Sequence, residues 1–193
     1  MGIKMNNSIK YTCGCCGKTH ENWPALTFIS PDNYEYLSQN DKEKITELKS
    51  DTCIINYPNQ IDTFIRCTLI QTVNDHCEDL DYGLWVSLGE KSFRDYMENF
   101  DNENHETEYF GWLCNNIPEY KFSESIPTTV RTKKGNQRPE IFPHESFDHP
   151  FVKDYYNGIS KEEAEKRIKT MLQKIEDNRL ILNSKKSWWE FWK

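Results

Sequence analysis

Positive charge and aliphatic bulk are what this sequence has least of. Only 36% of its 193 residues are hydrophobic, and 24 Lys and Arg stand against 31 Asp and Glu, for a net charge of −7. The basic deficit argues against a general nucleic-acid binder, whose affinity rests on clustered Lys and Arg. No stretch approaches the roughly 20 apolar residues of a membrane span. Met1 to Lys10 is short and polar, without the apolar run of a secretory signal, so a cytoplasmic chain with reduced thiols is expected. No HExxH helix marks a catalytic zinc site, and there is no internal repeat.

Aromatic residues, at 13%, make up for part of the missing aliphatic burial. The length suits one domain. The expected organisation is a leader over 1–8, a single domain over 9–178 and a Trp-rich tail over 179–193. From Ser160 onward the charge is about +3 (nine Lys and Arg less six Asp and Glu), which leaves about −10 on residues 1–159.

β-Branched and alternating runs predict strands over 9–13, 25–29, 51–57, 63–73 and 82–88. Pro58-Asn59-Gln60 turns the 51–57 and 63–73 runs into a hairpin. In the 82–88 strand, Leu84, Val86 and Leu88 face one side and Trp85 the other. A second hairpin is expected over 128–132 and 138–142. Helices are predicted over 41–49, capped by Asp41, and over 90–100, where Phe93, Tyr96, Met97 and Phe100 share a face. A third starts at the capping box Ser160-Lys161-Glu162-Glu163 and carries the stripe Ala164, Ile168, Met171, Leu172 and Ile175. Strands grouped with a few helices, without regular βαβ alternation, give an α+β class with a mainly antiparallel sheet.

The densest chemistry is Cys13-x2-Cys16-Gly17-x2-His20. A C-x2-C turn aims two thiolates at one ion, and glycine after the second cysteine allows the positive φ the turn needs. This gives a zinc-knuckle-like turn. His20 is the third ligand expected, and Cys53, at the head of a strand, the fourth, with Cys15, Cys67, Cys77 and His76 as reserves. Four protein ligands close the shell, which makes the expected zinc structural.

No paired nucleophile and base completes a catalytic set, so no catalytic residue is assigned. Cys114 with His149 is the arrangement a hydrolase or thiol enzyme would use. Trp85, Trp112, Asp148 and His149 are the residues expected on a cleft or exposed binding surface. The acidic body, or the tail with Trp188, Trp189, Phe191 and Trp192, is a candidate surface for a protein partner.

Taken in order, Cys13-x2-Cys16-Gly17-x2-His20 with Pro24, Asp51-x-Cys53, Gly83-x-Trp85-Val86-Ser87-Leu88, Phe110-Gly111-Trp112-Leu113 and Asp148-His149-Pro150 resemble the bacterial domain of unknown function 2199 family, over roughly residues 11–178. The resemblance implies a bacterial intracellular protein and supplies no mechanism. Cys15 falls at a variable position of its motif. A zinc-stabilised binding or regulatory domain is the resulting expectation. A thiol enzyme using Cys114 and His149, or an acidic, toxin-neutralising type of partner-binder, are the alternatives.

Overall fold

The computed structural model describes residues 10–12, 19–21, 23–135 and 137–173, the first two stretches as backbone alone. An antiparallel pair, β1 (Lys10–Thr12) and β2 (Thr19–Glu21), comes first. Then follow β3 (Leu26–Thr27), α1 (Asp32–Glu35), α2 (Gln39–Ile45), β4 (Thr46–Leu48), β5 (Thr52–Tyr57), β6 (Gln60–Gln71) and β7 (Leu80–Leu88). After α3 (Glu90–Glu98) come β8 (Glu108–Leu113), β9 (Pro127–Lys133), β10 (Gln137–Pro143) and α4 (Pro150–Asn157). A last helix, α5, occupies 161–173.

β6 and β7 are the spine. Their antiparallel ladder runs from Thr63↔Leu88 to Gln71↔Leu80. β8, β9 and β10 continue antiparallel from β7, and β10 returns to β6 in a parallel pairing at Glu140↔Thr68. Thr68 Oγ1 donates to the Pro139 carbonyl at 3.3 Å across this seam. The result is a closed barrel of five strands, with β5 and β4 added along the first half of β6 and β3 added in parallel to β7.

The α+β class is observed, but the sheet is mixed and closed rather than antiparallel alone. A ring with an odd number of strands cannot alternate direction all the way round, so at least one pairing must be parallel. Residues 13–18, where the zinc-knuckle-like turn was expected, lie outside the described residues, so the structure gives that turn no support. The leader over 1–8 and the tail over 179–193 lie outside them too.

Period-two alternation divides the side chains between two cores. Ile65, Cys67, Leu69, Tyr82, Leu84, Val86, Leu88, Tyr109, Leu113, Val130 and Ile141 point into the barrel. Phe93 and Tyr96 of α3, Phe151 and Val152 of α4, and Ala164 and Ile168 of α5 join them. A smaller core on the outer face gathers Cys53, Ile55, Phe64 and Trp85 under Tyr34, Leu37 and Ile45.

Some boundaries differ from expectation for local reasons. Ser38, not Asp41, caps α2, accepting from the Asp41 amide at 3.2 Å. That helix stops at Ile45, where Thr46 turns extended to pair with β5 and its hydroxyl donates to the Lys42 carbonyl. In α3 only Phe93 and Tyr96 are buried, while Met97 and Phe100 remain exposed. Ser160 Oγ accepts from the Glu163 amide as a capping box requires, but the Glu163 carboxylate turns forward to Arg167 at 3.1 Å.

Candidate functional site

Strand β8 alternates between the barrel and the outside. Tyr109, Gly111 and Leu113 point inward, and Phe110 and Trp112 stand outward, 50% and 44% exposed. A Cβ at Gly111 would come 2.9 Å from the Ser87 carbonyl oxygen, so this glycine lets β8 close tightly on β7. Phe110 and Trp112 meet edge to face with centroids 5.1 Å apart.

These two rings floor a cleft of about 880 Å³ on the barrel wall, which Ile61, Phe64 and Phe147 also line. Its polar lining includes the carboxylates of Asp62, Glu90 and Glu124, and no lysine, arginine or histidine. Glu90 shares its charge with Arg94 in an exposed ion pair at 2.6 Å. A side hollow of about 240 Å³ continues past Cys114 to Asp32 and Tyr36.

The end of β8 is held by a polar staple. The Cys114 amide donates to the Trp85 carbonyl at 2.9 Å, after which Asn115 leaves the strand. Its Oδ1 accepts from the Trp85 amide at 2.8 Å, and its Nδ2 donates to the Ser30 carbonyl at 2.9 Å and to Asp32 Oδ1 at 3.2 Å. Asp32 Oδ2 accepts from the Asn116 amide at 2.9 Å. One buried side chain thus fixes β7, β8 and the start of α1 around the cleft.

Cys114 lines the cleft half-buried, and its Sγ–H donates to the Trp112 carbonyl at 3.1 Å. Burial pushes the thiol up to about 11, with opposing help from hydrogen bonds to Ser87. A thiol in that state is a poor nucleophile near neutral pH.

The sequence profile of a family described as "Uncharacterized protein conserved in bacteria (DUF2199)" matches residues 12–159. The chain belongs to that family. No curated protein and no solved structure matches it. Within the DUF2199 match lie the whole barrel and every residue lining the cleft, whereas α5 follows it.

Of the site residues expected from the sequence, Trp112 and Cys114 line the cleft of this DUF2199 domain, whereas Trp85, Asp148 and His149 do not. Trp85 is fully buried in the smaller core, its Nε1–H donating to the Phe28 carbonyl at 3.1 Å. His149 is the N-cap of α4: Nδ1 accepts from the Phe151 amide at 3.1 Å, which leaves Nε2 protonated and donating to the Lys121 carbonyl at 3.0 Å. Both ring nitrogens are engaged, and the ring stacks on Phe122, so His149 is not free to serve Cys114 as a base. Asp148 is exposed and ion-paired with Lys153 at 2.6 Å.

Cys53 is fully buried among Ile55, Phe64 and Trp85, and burial alone pushes its thiol up to about 12. Cys13 and Cys16 lie outside the described residues, and His20 is described only as backbone in β2. Among the described residues no group of three or more His, Cys, Asp or Glu is placed to hold a metal, and no helix is long and apolar enough to cross a membrane.

Two features were not foreseen. Phe110 shares the outward face of Trp112, and the alternation of Tyr109 to Leu113 carries that signal in the sequence. Arg167 is 2% exposed and donates to Tyr82 Oη at 3.3 Å, Asp154 Oδ2 at 3.2 Å, Glu163 and Tyr120 Oη, its guanidinium lying 4.9 Å from the Tyr120 ring centroid. It locks α5 to α4 and β7. Within an apolar helical stripe, nothing distinguishes such an arginine from a surface one.

Proposed function

We propose that this is a binding domain whose cleft receives a basic, aromatic-bearing segment of another protein. The reading is carried by the lining of the cleft: exposed Phe110 and Trp112 beside three carboxylates, with no cationic side chain. Exposed aromatic rings attract apolar side chains and cations alike, and the carboxylates add charge complementarity. The overall charge of −7 favours the same class of partner through steering.

A binding role also accords with the state of the thiol. Cys114 is the cleft's cysteine, its proton is held up to about 11, and neither ring nitrogen of His149 is available to take it. The direct test is a titration with short peptides carrying one aromatic residue between lysines or arginines, against the same peptides with glutamates. Preferential binding of the basic set, weakened by Trp112→Ala, supports the reading; equal binding of both sets contradicts it.

A further inference from the structure

We infer that the partner segment carries a basic residue three positions from its aromatic one, received by a second hollow beyond Phe110 that Glu145 and Tyr156 line. This names the partner's spacing more closely and rests on the proposed binding role of the Phe110–Trp112 cleft.

The register of β8, β9 and β10 lays a continuous ledge on the outside of the barrel. Phe110 pairs with Thr129, and Thr129 with Phe142, all three at positions that alternate outward. Trp112 pairs with Pro127, whose carbonyl accepts from the His144 amide at 2.9 Å just past β10. The His144 ring meets Phe110 at a steep angle, with centroids 5.7 Å apart. Phe110 thus touches a ring of the cleft and a ring of the hollow beyond it. The 144–147 turn joins them as well, for Phe147 lines the cleft and its amide donates to the His144 carbonyl at 3.0 Å.

The second hollow has a volume of about 580 Å³, and its lining includes Thr129, Phe142, His144, Glu145 and Tyr156 but no lysine or arginine. Tyr156 is 47% exposed, and its hydroxyl donates to the Pro143 carbonyl at 2.7 Å, which anchors the ring beside β10. Burial and, after it, the charge of Glu145 push this hydroxyl up. Glu145 itself is exposed and has no ion-pair partner among the described residues. The Phe142 ring already carries the Arg131 guanidinium at 4.6 Å, and Glu108 neutralises that charge at 2.7 Å. His144 Nε2 is engaged with Thr129 Oγ1 at 3.2 Å. What remains open is an unpaired carboxylate beside an exposed phenol ring, a pair that attracts a cation by charge and by quadrupole.

The geometry of the ledge sets the spacing. Neighbouring strands stand roughly 4.8 Å apart, so Phe110 and Phe142, with β9 between them, are about 10 Å apart. A segment lying across the faces of three strands pairs with none of them, and extended chain without sheet pairing favours the polyproline II form. That form repeats every three residues at about 3.1 Å each, which puts residues i and i+3 on one side about 9 Å apart. With an aromatic side chain on Phe110 and Trp112, the residue three positions away therefore lies over the Glu145 hollow, where lysine or arginine fits.

The test is peptide binding to the full chain. The peptides share one aromatic residue and a basic residue for the cleft, and carry a further lysine one or three positions from the aromatic, on either side, or glutamine in its place. The lysine three positions away should tighten binding about fivefold over glutamine in one of the two directions, and the lysine one position away should not. Glu145 is exposed, so Glu145→Gln leaves the fold intact; it should erase the lysine advantage without changing the affinity of the glutamine peptide. Tyr156→Phe, which keeps the ring, should preserve the advantage. A lysine advantage that is equal at both spacings, or that survives Glu145→Gln, overturns the inference, while binding that Trp112→Ala weakens leaves the cleft reading standing. No binding by any peptide overturns both.

Discussion

The main-chain N–H of Trp85 is satisfied not by a strand but by the side chain of Asn115, at 2.8 Å. The β7–β8 ladder ends one residue earlier, and the amide of Asn115 extends it by a rung while holding Ser30 and Asp32. Asn115→Ala leaves a buried N–H unpaired and should cost about 2–4 kcal/mol. For a chain of this size that is a fall in melting temperature of roughly 5–15 °C. Asn115→Asp keeps the acceptor but sets a second carboxylate beside Asp32, so its loss of stability should shrink as pH falls through the carboxylate range. Calorimetry at two pH values checks both; a change within 1 °C for Asn115→Ala would remove the staple from the account.

Cys114 should be slow to react. With its thiol pushed up to about 11, its thiolate fraction at pH 8 is about a hundredfold below that of an ordinary cysteine. Iodoacetamide labelling followed by mass spectrometry reads this directly. The linkage has a definite sign. The folded state holds this proton more tightly than the unfolded chain, so the stabilisation is complete below about pH 9 and is lost as pH rises towards 11. Cys53, pushed to about 12, acts in the same direction over a wider window. Urea midpoints across this range should fall less steeply in Cys53→Ala than in the unaltered chain.

Arg167 binds α5 to the barrel through Tyr82, Tyr120, Asp154 and Glu163. Arg167→Met strands these partners and should cost about 2–4 kcal/mol, less than for a fully buried pair because Asp154 and Glu163 keep some contact with water. Arg167→Lys should recover less than half, since one ammonium cannot reproduce the fork of donors. Protease cleavage within 161–173 should accelerate in both variants. Equal stability of the Met variant would contradict a structural role for the network.

The sequence carries the strands of this fold more clearly than their closure. Alternation along Thr63–Gln71 and Tyr82–Leu88 identifies β6, β7 and the opposed faces of Leu84 and Trp85, because period two is a local property. The return of β10 to Thr68 joins residues about seventy apart and leaves no local trace. Helix ends were set by side chains competing for amides, as Ser38 did over Asp41. At the cleft, Trp112 was legible as an unusual residue in an apolar block. Trp85 looked equivalent, yet tertiary packing buried it. His149, a candidate base by type, is spent on capping α4, which only the position of Phe151 reveals.

The most direct measurement is the affinity of the purified domain for basic–aromatic peptides at low and moderate salt. Binding in the Phe110–Trp112 cleft should favour the basic set over the glutamate set by at least about tenfold and weaken as salt rises. Trp112→Ala and the double change Asp62→Asn with Glu124→Gln should each reduce affinity by about tenfold while leaving the melting temperature within a few degrees. Affinity that ignores peptide charge, or that survives both variants, would contradict a binding role for this cleft.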